Sequence, residues 1–214
     1  LKNGTLYRNI TISGVAGTGS TTLLRLLKER LEPEGWQGYS GGEYMRRFLQ
    51  SGGDSLVHHS AEAYDESIDR LVDTDIRRQL REENGLIIES WLSGFMAQGI
   101  PGVLKILLVC SNDLDRAERL ASRDGMDLSQ AVVEAFERLQ KNTARWSRMY
   151  AHEWEEWVVK GGTRPPDAPC FFWHPRLYDL VIDTAVYAPA ACMDLVFAEL
   201  RSASRLNAPA LTLA

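Results

Sequence analysis

Apolar and polar positions along the chain fall into two alternating patterns. Four short runs are almost continuously apolar: Asn9–Ser13 (NITIS), Leu86–Glu89 (LIIE), Val103–Val109 (VLKILLV) and Tyr178–Ile182 (YDLVI). They lack the polar alternation of a half-exposed strand and predict strands covered on both faces, as in a parallel sheet. Trp36–Ser40 is a weaker fifth candidate. Helical periodicity fills the intervals. Thr21–Leu31 places Leu23, Leu24, Leu26, Leu27 and Leu31 on one face, with Pro33 and Gly35 as stop signals. Ser111–Asp124 opens on Ser-Asn-Asp, good N-cap chemistry, and closes at Gly125. Ser129–Lys160 is a long helical pattern, bent or broken, ending at Gly161-Gly162. On it Trp146, Tyr150, Trp154 and Trp157 recur at three- to four-residue steps and predict a packing stripe, with a base-stacking platform as the weaker alternative. Alternating strands and helices predict an α/β fold of three layers around a mostly parallel sheet. Gly42–Glu83 holds two helical patterns and no strand, while Gly161–Arg176, rich in Pro and Gly, predicts a surface loop. No internal repeat is visible, and the tail after Arg201 predicts a frayed end.

The chemistry concentrates in Gly14-Val15-Ala16-Gly17-Thr18-Gly19-Ser20-Thr21-Thr22, between the first strand and the first helix. That context is the one a phosphate-binding P-loop requires. Glycines let the backbone wrap a phosphate chain, its N–H groups converge inward, and the helix N-terminus adds partial positive charge. Gly14, Gly17, Thr18, Gly19, Ser20, Thr21 and Thr22 are therefore the candidate donor-phosphate residues, and Thr21 stands where the motif places its Mg²⁺-coordinating hydroxyl. The lysine that normally precedes it is Ser20. A tight strand–helix turn that binds nothing is the alternative.

Glu89 ends the LIIE strand, where P-loop enzymes hold Mg²⁺ directly or through water. A strand ending in a carboxylate occurs equally often without metal. Arginines suit phosphate because they bind it bidentately and stay charged. Arg46 and Arg47 follow Gly41-Gly42, and Arg116, Arg119 and Arg123 share a helix face that reads first as a solvated face paired with acids. Arg138, Arg145 and Arg148 have fewer flanking acids and read as groups that close over phosphate.

Composition narrows the classes. The chain has 214 residues, 44% of them apolar, with 24 basic and 29 acidic side chains and a net charge of −5. That suits one folded domain and argues against bulk nucleic acid or anionic membrane as partner. The longest apolar run is far below a membrane span. Cys110, Cys170 and Cys192 show no metal spacing or disulfide framework, which predicts a reducing cytoplasm. The chain begins at Leu1, so the absence of a visible leader decides nothing. His58, His59, His152 and His174 form no catalytic or zinc spacing, and His58-His59 predicts a polar loop or helix start.

These pieces resemble the cytidylate kinases, in particular their short archaeal-type branch. The matching segments are ITISGVAGTGSTT, SGGEYMRR, SIDRLVD, LIIESWLSGFM, RAERLASRDG, the run from Arg138 through Arg145 to Tyr150, and YDLVIDT, in order from Asn9 to Leu195. The resemblance implies a single P-loop kinase domain with a core of residues 9–40, 84–124 and 177–203. An acceptor-binding insert spans about 41–83 and a lid about 125–160. It implies transfer of the γ-phosphoryl of ATP to CMP or dCMP with Mg²⁺. Thr often replaces the P-loop lysine in that branch, which makes the hydroxyl of Ser20 a tolerable variant. It assigns catalysis to Arg138, Arg145 and Ser20, metal binding to Thr21 and Glu89, and acceptor binding to Arg46, Asp69, Arg70 and Asp73. At Trp91 the family's acceptor-contacting arginine is replaced, and Thr74-Asp75-Ile76 departs from its Arg-Arg-Gln, leaving Gln79 one turn on. Trp91 is counted with the acceptor residues.

Phosphoryl transfer between ionised groups needs alignment, charge neutralisation and exclusion of water, and little covalent chemistry. Three readings follow: a kinase of CMP-like nucleotides, a P-loop kinase of another small acceptor, and a nucleotide-binding protein that has lost catalysis. The partners expected are small-molecule nucleotides, without nucleic acid or membrane, for a monomer or homodimer.

Overall fold

The computed structural model describes residues 7–51 and 66–206. Five strands, β1 (Asn9–Ser13), β2 (Gln37–Ser40), β3 (Leu86–Glu89), β4 (Val103–Val109) and β5 (Leu180–Asp183), form one sheet in the order β2-β3-β1-β4-β5. All four pairings are parallel. The helices are α1 (Ser20–Leu31), α2 (Gly41–Ser51), α3 (Glu66–Glu82), α4 (Ser93–Met96), α5 (Asp113–Asp124), α6 (Leu128–Met149), α7 (Ala151–Trp154) and α8 (Pro189–Leu206). His58 and His59 lie outside the described residues.

The unbroken apolar strands are explained by burial on both sides. Ile10, Ile12, Ile87, Leu104 and Ile106 pack with Leu23, Leu27 and Leu31 of α1 and Val196 and Leu200 of α8. Leu86, Ile88, Val103 and Leu107 face the other way, onto α3, α4 and the aromatic residues after α6. Successive strand residues alternate between these two cores, which gives the three layers. Phe95 of α4 is the aromatic hub of the second core, with ring centroids of Phe172 at 4.8 Å, Trp157 at 5.4 Å and Tyr150 at 5.9 Å. Tyr150, Trp154 and Trp157 of the stripe are thus core packing, whereas Trp146 is only partly buried.

Most boundaries agree with the periodicity. Asn112 caps α5 by accepting the backbone N–H groups of Leu114 and Asp115, and Gly125 ends it in the left-handed region at φ 69°. The long pattern over 129–160 breaks at Tyr150, then continues as α7 and a π-helical turn, Glu155–Val159. Two expectations need correction. The last strand begins at Leu180, because Tyr178 and Asp179 are spent as anchors. The Tyr178 hydroxyl donates to Phe172 O at 2.8 Å, and Asp179 exchanges bonds with Lys105. The loop over 161–176 is not confined to the surface: Phe172 is fully buried and Trp173 nearly so. Its Pro and Gly residues signal an irregular backbone but not where its aromatic rings point.

Register sets up the site. Ile12 pairs with Glu89, and Ser40 also pairs with Glu89. The C-terminal ends of β1, β2 and β3 therefore lie side by side, with the glycine-rich loop after β1, α2 after β2 and Glu89 between them. β1 is also where the strand order turns, toward β3 and β2 on one side and β4 and β5 on the other, the position at which open α/β sheets bind ligands.

Candidate active site

The loop after β1 has the geometry of an anion cradle. Gly17 and Gly19 have φ of +85° and +86°, a left-handed conformation that glycine adopts without steric cost. A Cβ on Gly14 would stand 2.4 Å from Thr18 Oγ1 and 2.8 Å from Leu108 O, so the loop closes only on glycine. The first backbone bond of α1 runs from Leu23 N to Gly19 O, so the amides of Ser20, Thr21 and Thr22 have no partner within the helix. Those amides and the helix dipole favour an anion. Thr18 departs from the expected role. Its side chain is buried and both its hydroxyl and its amide donate to Val15 O, at 2.8 and 3.3 Å. It shapes the loop and offers no free donor. Thr21 and Thr22 are exposed at the first turn of α1.

A cleft of about 620 Å³ opens beside this loop. Thr21, Glu89, Arg46, Asp69, Asp73, Trp91, Arg138 and Arg145 all line it. These residues come from α1, β3, α2, α3, the β3–α4 turn and α6, and only the fold brings them together. At its floor α2 begins with Gly41 and Gly42, both lining residues, while Ser40 Oγ accepts the amide of Glu43. Arg46 stands one turn into that helix, with its guanidinium beside Gly42.

Glu89 is buried, and the Ser20 hydroxyl donates to its Oε1 at 2.7 Å. Burial raises its pKa above the ordinary carboxylate value, and the Ser20 bond acts in the opposite sense. A hydroxyl and a buried carboxylate oxygen form a hard-oxygen donor set, and Mg²⁺ is ordinarily held by one or two such groups with phosphate and water. Thr21 and Glu89 fit that requirement. Asp73 is raised to about 6, first by desolvation, while the Tyr150 hydroxyl donates to it and opposes the rise.

α3 meets the end of the α6–α7 segment along one face. Glu66 lies 3.7 Å from Arg148, Asp69 forms an ion pair with Arg145, Arg70 bonds Met149 O at 2.6 Å and pairs with Glu153, and Asp73 accepts from Tyr150. Positions 66, 69, 70 and 73 follow the helical repeat. This row corrects two expectations. Arg70 is turned to the helix end and does not line the cleft, because Glu153 and the Met149 carbonyl hold it. Arg148 is likewise outside the cleft, and the acids that pair with Arg145 and Arg148 come from α3 rather than from neighbouring residues. The Arg116, Arg119 and Arg123 face is largely satisfied too. Arg116 pairs with Asp113 and Arg123 with Asp124, whereas Arg119 ties Gly17 O to Thr184.

Gln79 is also withdrawn from the cleft. It is buried, accepts from the Tyr39 hydroxyl at 2.7 Å and donates to Tyr44 and Asp75 at 2.8 and 2.9 Å. Two contributors escaped the sequence reading. Asn142 lines the cleft one turn after Arg138 and one before Arg145 and Trp146, a spacing that could have identified it. Arg77 is buried behind the cleft, donates to Met96 O and Gln98 O and lies 3.6 Å over Trp157. No local pattern distinguishes it from Arg78.

Comparison with known proteins agrees with this geometry. An "AAA domain" family model matches residues 10–145. The cytidylate kinase of Methanosarcina acetivorans is 35% identical over 66% of this chain and 77% of its own. Those of Haloarcula marismortui and Pyrococcus furiosus are 29% and 32% identical, over 91% of this chain and 90% and 86% of theirs. Among solved structures, an uncharacterised protein from Eubacterium ventriosum has a TM-score of 0.61 at 16% identity, covering 91% of this chain and 99% of its own. A gluconokinase from Sinorhizobium meliloti gives 0.52 at 15%, covering 94% and 97%. The structural likenesses speak to fold alone. The family match and the sequence relatives, with the cradle after β1 in keeping, place the chain in the P-loop kinase family that includes the archaeal cytidylate kinases.

Proposed function

We propose that this kinase transfers the γ-phosphoryl group of ATP to a nucleoside monophosphate, with CMP and dCMP as the preferred acceptors. The observation that carries the reading is one cleft holding Thr21 and Glu89 on the donor side together with Arg46, Arg138 and Arg145. The names of the sequence relatives point to the cytidine acceptor.

In this reading the loop over 14–22 holds the β- and γ-phosphates through its free amides. Thr21 and Glu89 would hold Mg²⁺, which would supply charge neutralisation at the donor phosphates. Ser20 keeps the Glu89 carboxylate aimed. Arg46 and the start of α2 hold the acceptor phosphate, with α2–α3 as the acceptor-binding segment. Asp69 and Asp73 face the rest of the acceptor. Arg138 and Arg145, on the lid helix α6, approach the transferring group, where charge spreads over its oxygens. The acceptor phosphate is already ionised at neutral pH, so no strong general base is needed. Among the described residues no helix is long and apolar enough to cross a membrane, in keeping with a cytoplasmic enzyme of small nucleotides.

One observation favours a different small acceptor. Gln79, the nearest amide that could read a base, is consumed by Tyr39, Tyr44 and Asp75, and Trp91 fills an acceptor-side position. ADP release from Mg·ATP, measured against CMP, dCMP, UMP, AMP and a set of sugar acids, separates the two. Turnover confined to cytidine nucleotides supports the first reading, and turnover confined to a non-nucleotide acceptor replaces it with the second.

A further inference from the structure

Three arginines line the cleft, and they are held differently. Arg145 is neutralised by Asp69. Arg46 stands over the start of α2. Arg138 has no hydrogen bond or ion pair among the described residues, and its guanidinium carbon lies 5.3 Å from the centroid of the Trp91 ring. It also lines a second cavity, of about 560 Å³, that reaches the loop residue Ala16. Arg138 thus stands on the border between the cleft and the space beside the phosphate cradle.

Trp91 is itself fixed. Its carbonyl accepts Trp173 Nε1–H at 2.9 Å, and the Trp146 and Trp173 rings meet it edge-on at 5.6 and 5.9 Å. Trp173 belongs to the Pro- and Gly-rich loop over 161–176, to which nothing in the proposed chemistry gives a task. Trp146 lies two turns after Arg138 on the same helix. An aromatic face attracts a guanidinium without cancelling its charge, whereas a carboxylate would have to be displaced before phosphate could bind.

We propose that Trp91, braced by Trp173, is a positioning residue for Arg138: it holds the guanidinium, without a bonded carboxylate, at the border from which it reaches the transferring phosphoryl group. The proposal rests on the reading of Arg138 as a lid arginine.

The test is steady-state kinetics with Mg·ATP and CMP on W91L, W91F, W173F, R138A and the W91L/R138A pair, with the side-chain resonances of Arg138 followed by NMR in the absence of nucleotide. W91L should lower kcat by about tenfold with KM for ATP within about threefold. W91F should keep most of the activity, W173F should fall between, and the double variant should be no slower than R138A. The Arg138 side-chain protons should be shifted upfield by the indole ring and lose that shift in W91L. Normal turnover in W91L beside a defective R138A overturns the proposal and leaves the functional reading standing. Normal turnover in R138A overturns the proposal together with the lid role of Arg138, while turnover with CMP leaves the functional reading standing. Arg138 resonances without a ring-current shift in the parent protein overturn the proposal whatever the acceptor is.

Discussion

The Ser20 hydroxyl donates a 2.7 Å hydrogen bond to Glu89 Oε1, joining the position that replaces the P-loop lysine to the carboxylate at the end of β3. A buried carboxylate is costly unless it is bonded, and this bond is what opposes the burial-driven rise of the Glu89 pKa. Ser20→Ala removes that opposition. Its kcat should fall by about tenfold, and the acid limb of its kcat/KM profile should move to higher pH. An acid limb that stays in place would show that Glu89 does not set it.

Asp69 and Arg145 test the row of contacts between α3 and α6. Removing the carboxylate leaves a partly buried guanidinium unpaired, which costs roughly 3 kcal/mol or less at a partly exposed site. Asp69→Ala should lower Tm, and saturating CMP should raise Tm less in this variant than in the parent, because an acceptor-facing carboxylate is gone. Equal ligand-induced shifts in the two proteins would separate Asp69 from the acceptor.

Asp73 gives the stability a pH dependence of defined sign. Its folded pKa of about 6 lies above the ordinary value of 3.8, so the folded state holds a proton that the unfolded state has released. The associated stability is fully present below pH 3.8 and is lost as pH rises through about 6. The loss over that whole range is on the order of 3 kcal/mol. Asp73→Asn should flatten this part of the stability curve while keeping the oxygen that accepts from Tyr150. Chemical denaturation at pH 4.5 and pH 7 measures it, and an undiminished drop in the variant would assign the titration elsewhere.

Asn9 is a stability test remote from the chemistry. Although fully buried at the start of β1, it donates to Leu80 O and Glu83 O at 3.1 and 2.9 Å and accepts from Leu86 N at 2.9 Å. It therefore closes the C-terminal end of α3 onto the sheet. Asn9→Ala strands those buried groups and should cost roughly 2–3 kcal/mol, lowering Tm by about 5 °C or more, with KM for ATP unchanged. A Tm within about 1 °C of the parent would mean that water replaces the amide.

Much of this was legible from the chain because the responsible signals are local. Unbroken runs such as VLKILLV become doubly covered parallel strands, Asn112 and Gly125 bracket α5 as their cap chemistry requires, and the glycine spacing after β1 dictates the cradle. What was not legible depends on which elements become neighbours. Arg145 and Arg148 look unpaired along α6 because their acids sit on α3. Arg70 looks like a ligand-binding residue until Glu153 is brought beside it. Gln79 looks available until Tyr39 and Tyr44 close over it, and Trp173 gives no sign in sequence that it lies beneath Trp91. Long-range pairing of charged and polar groups leaves no periodic trace, so which residues line the cleft was more legible than which of them pair with one another.

The central claim is phosphoryl transfer from ATP to a cytidine monophosphate, and its most direct measurement is the initial rate of ADP release by the purified protein with Mg·ATP as CMP is varied, paired with detection of CDP. The expected result is saturable ADP release matched one-for-one by CDP, with dCMP also accepted and AMP and sugar acids poor. ADP release with no CDP, or CDP formation no faster than without the protein, would contradict it.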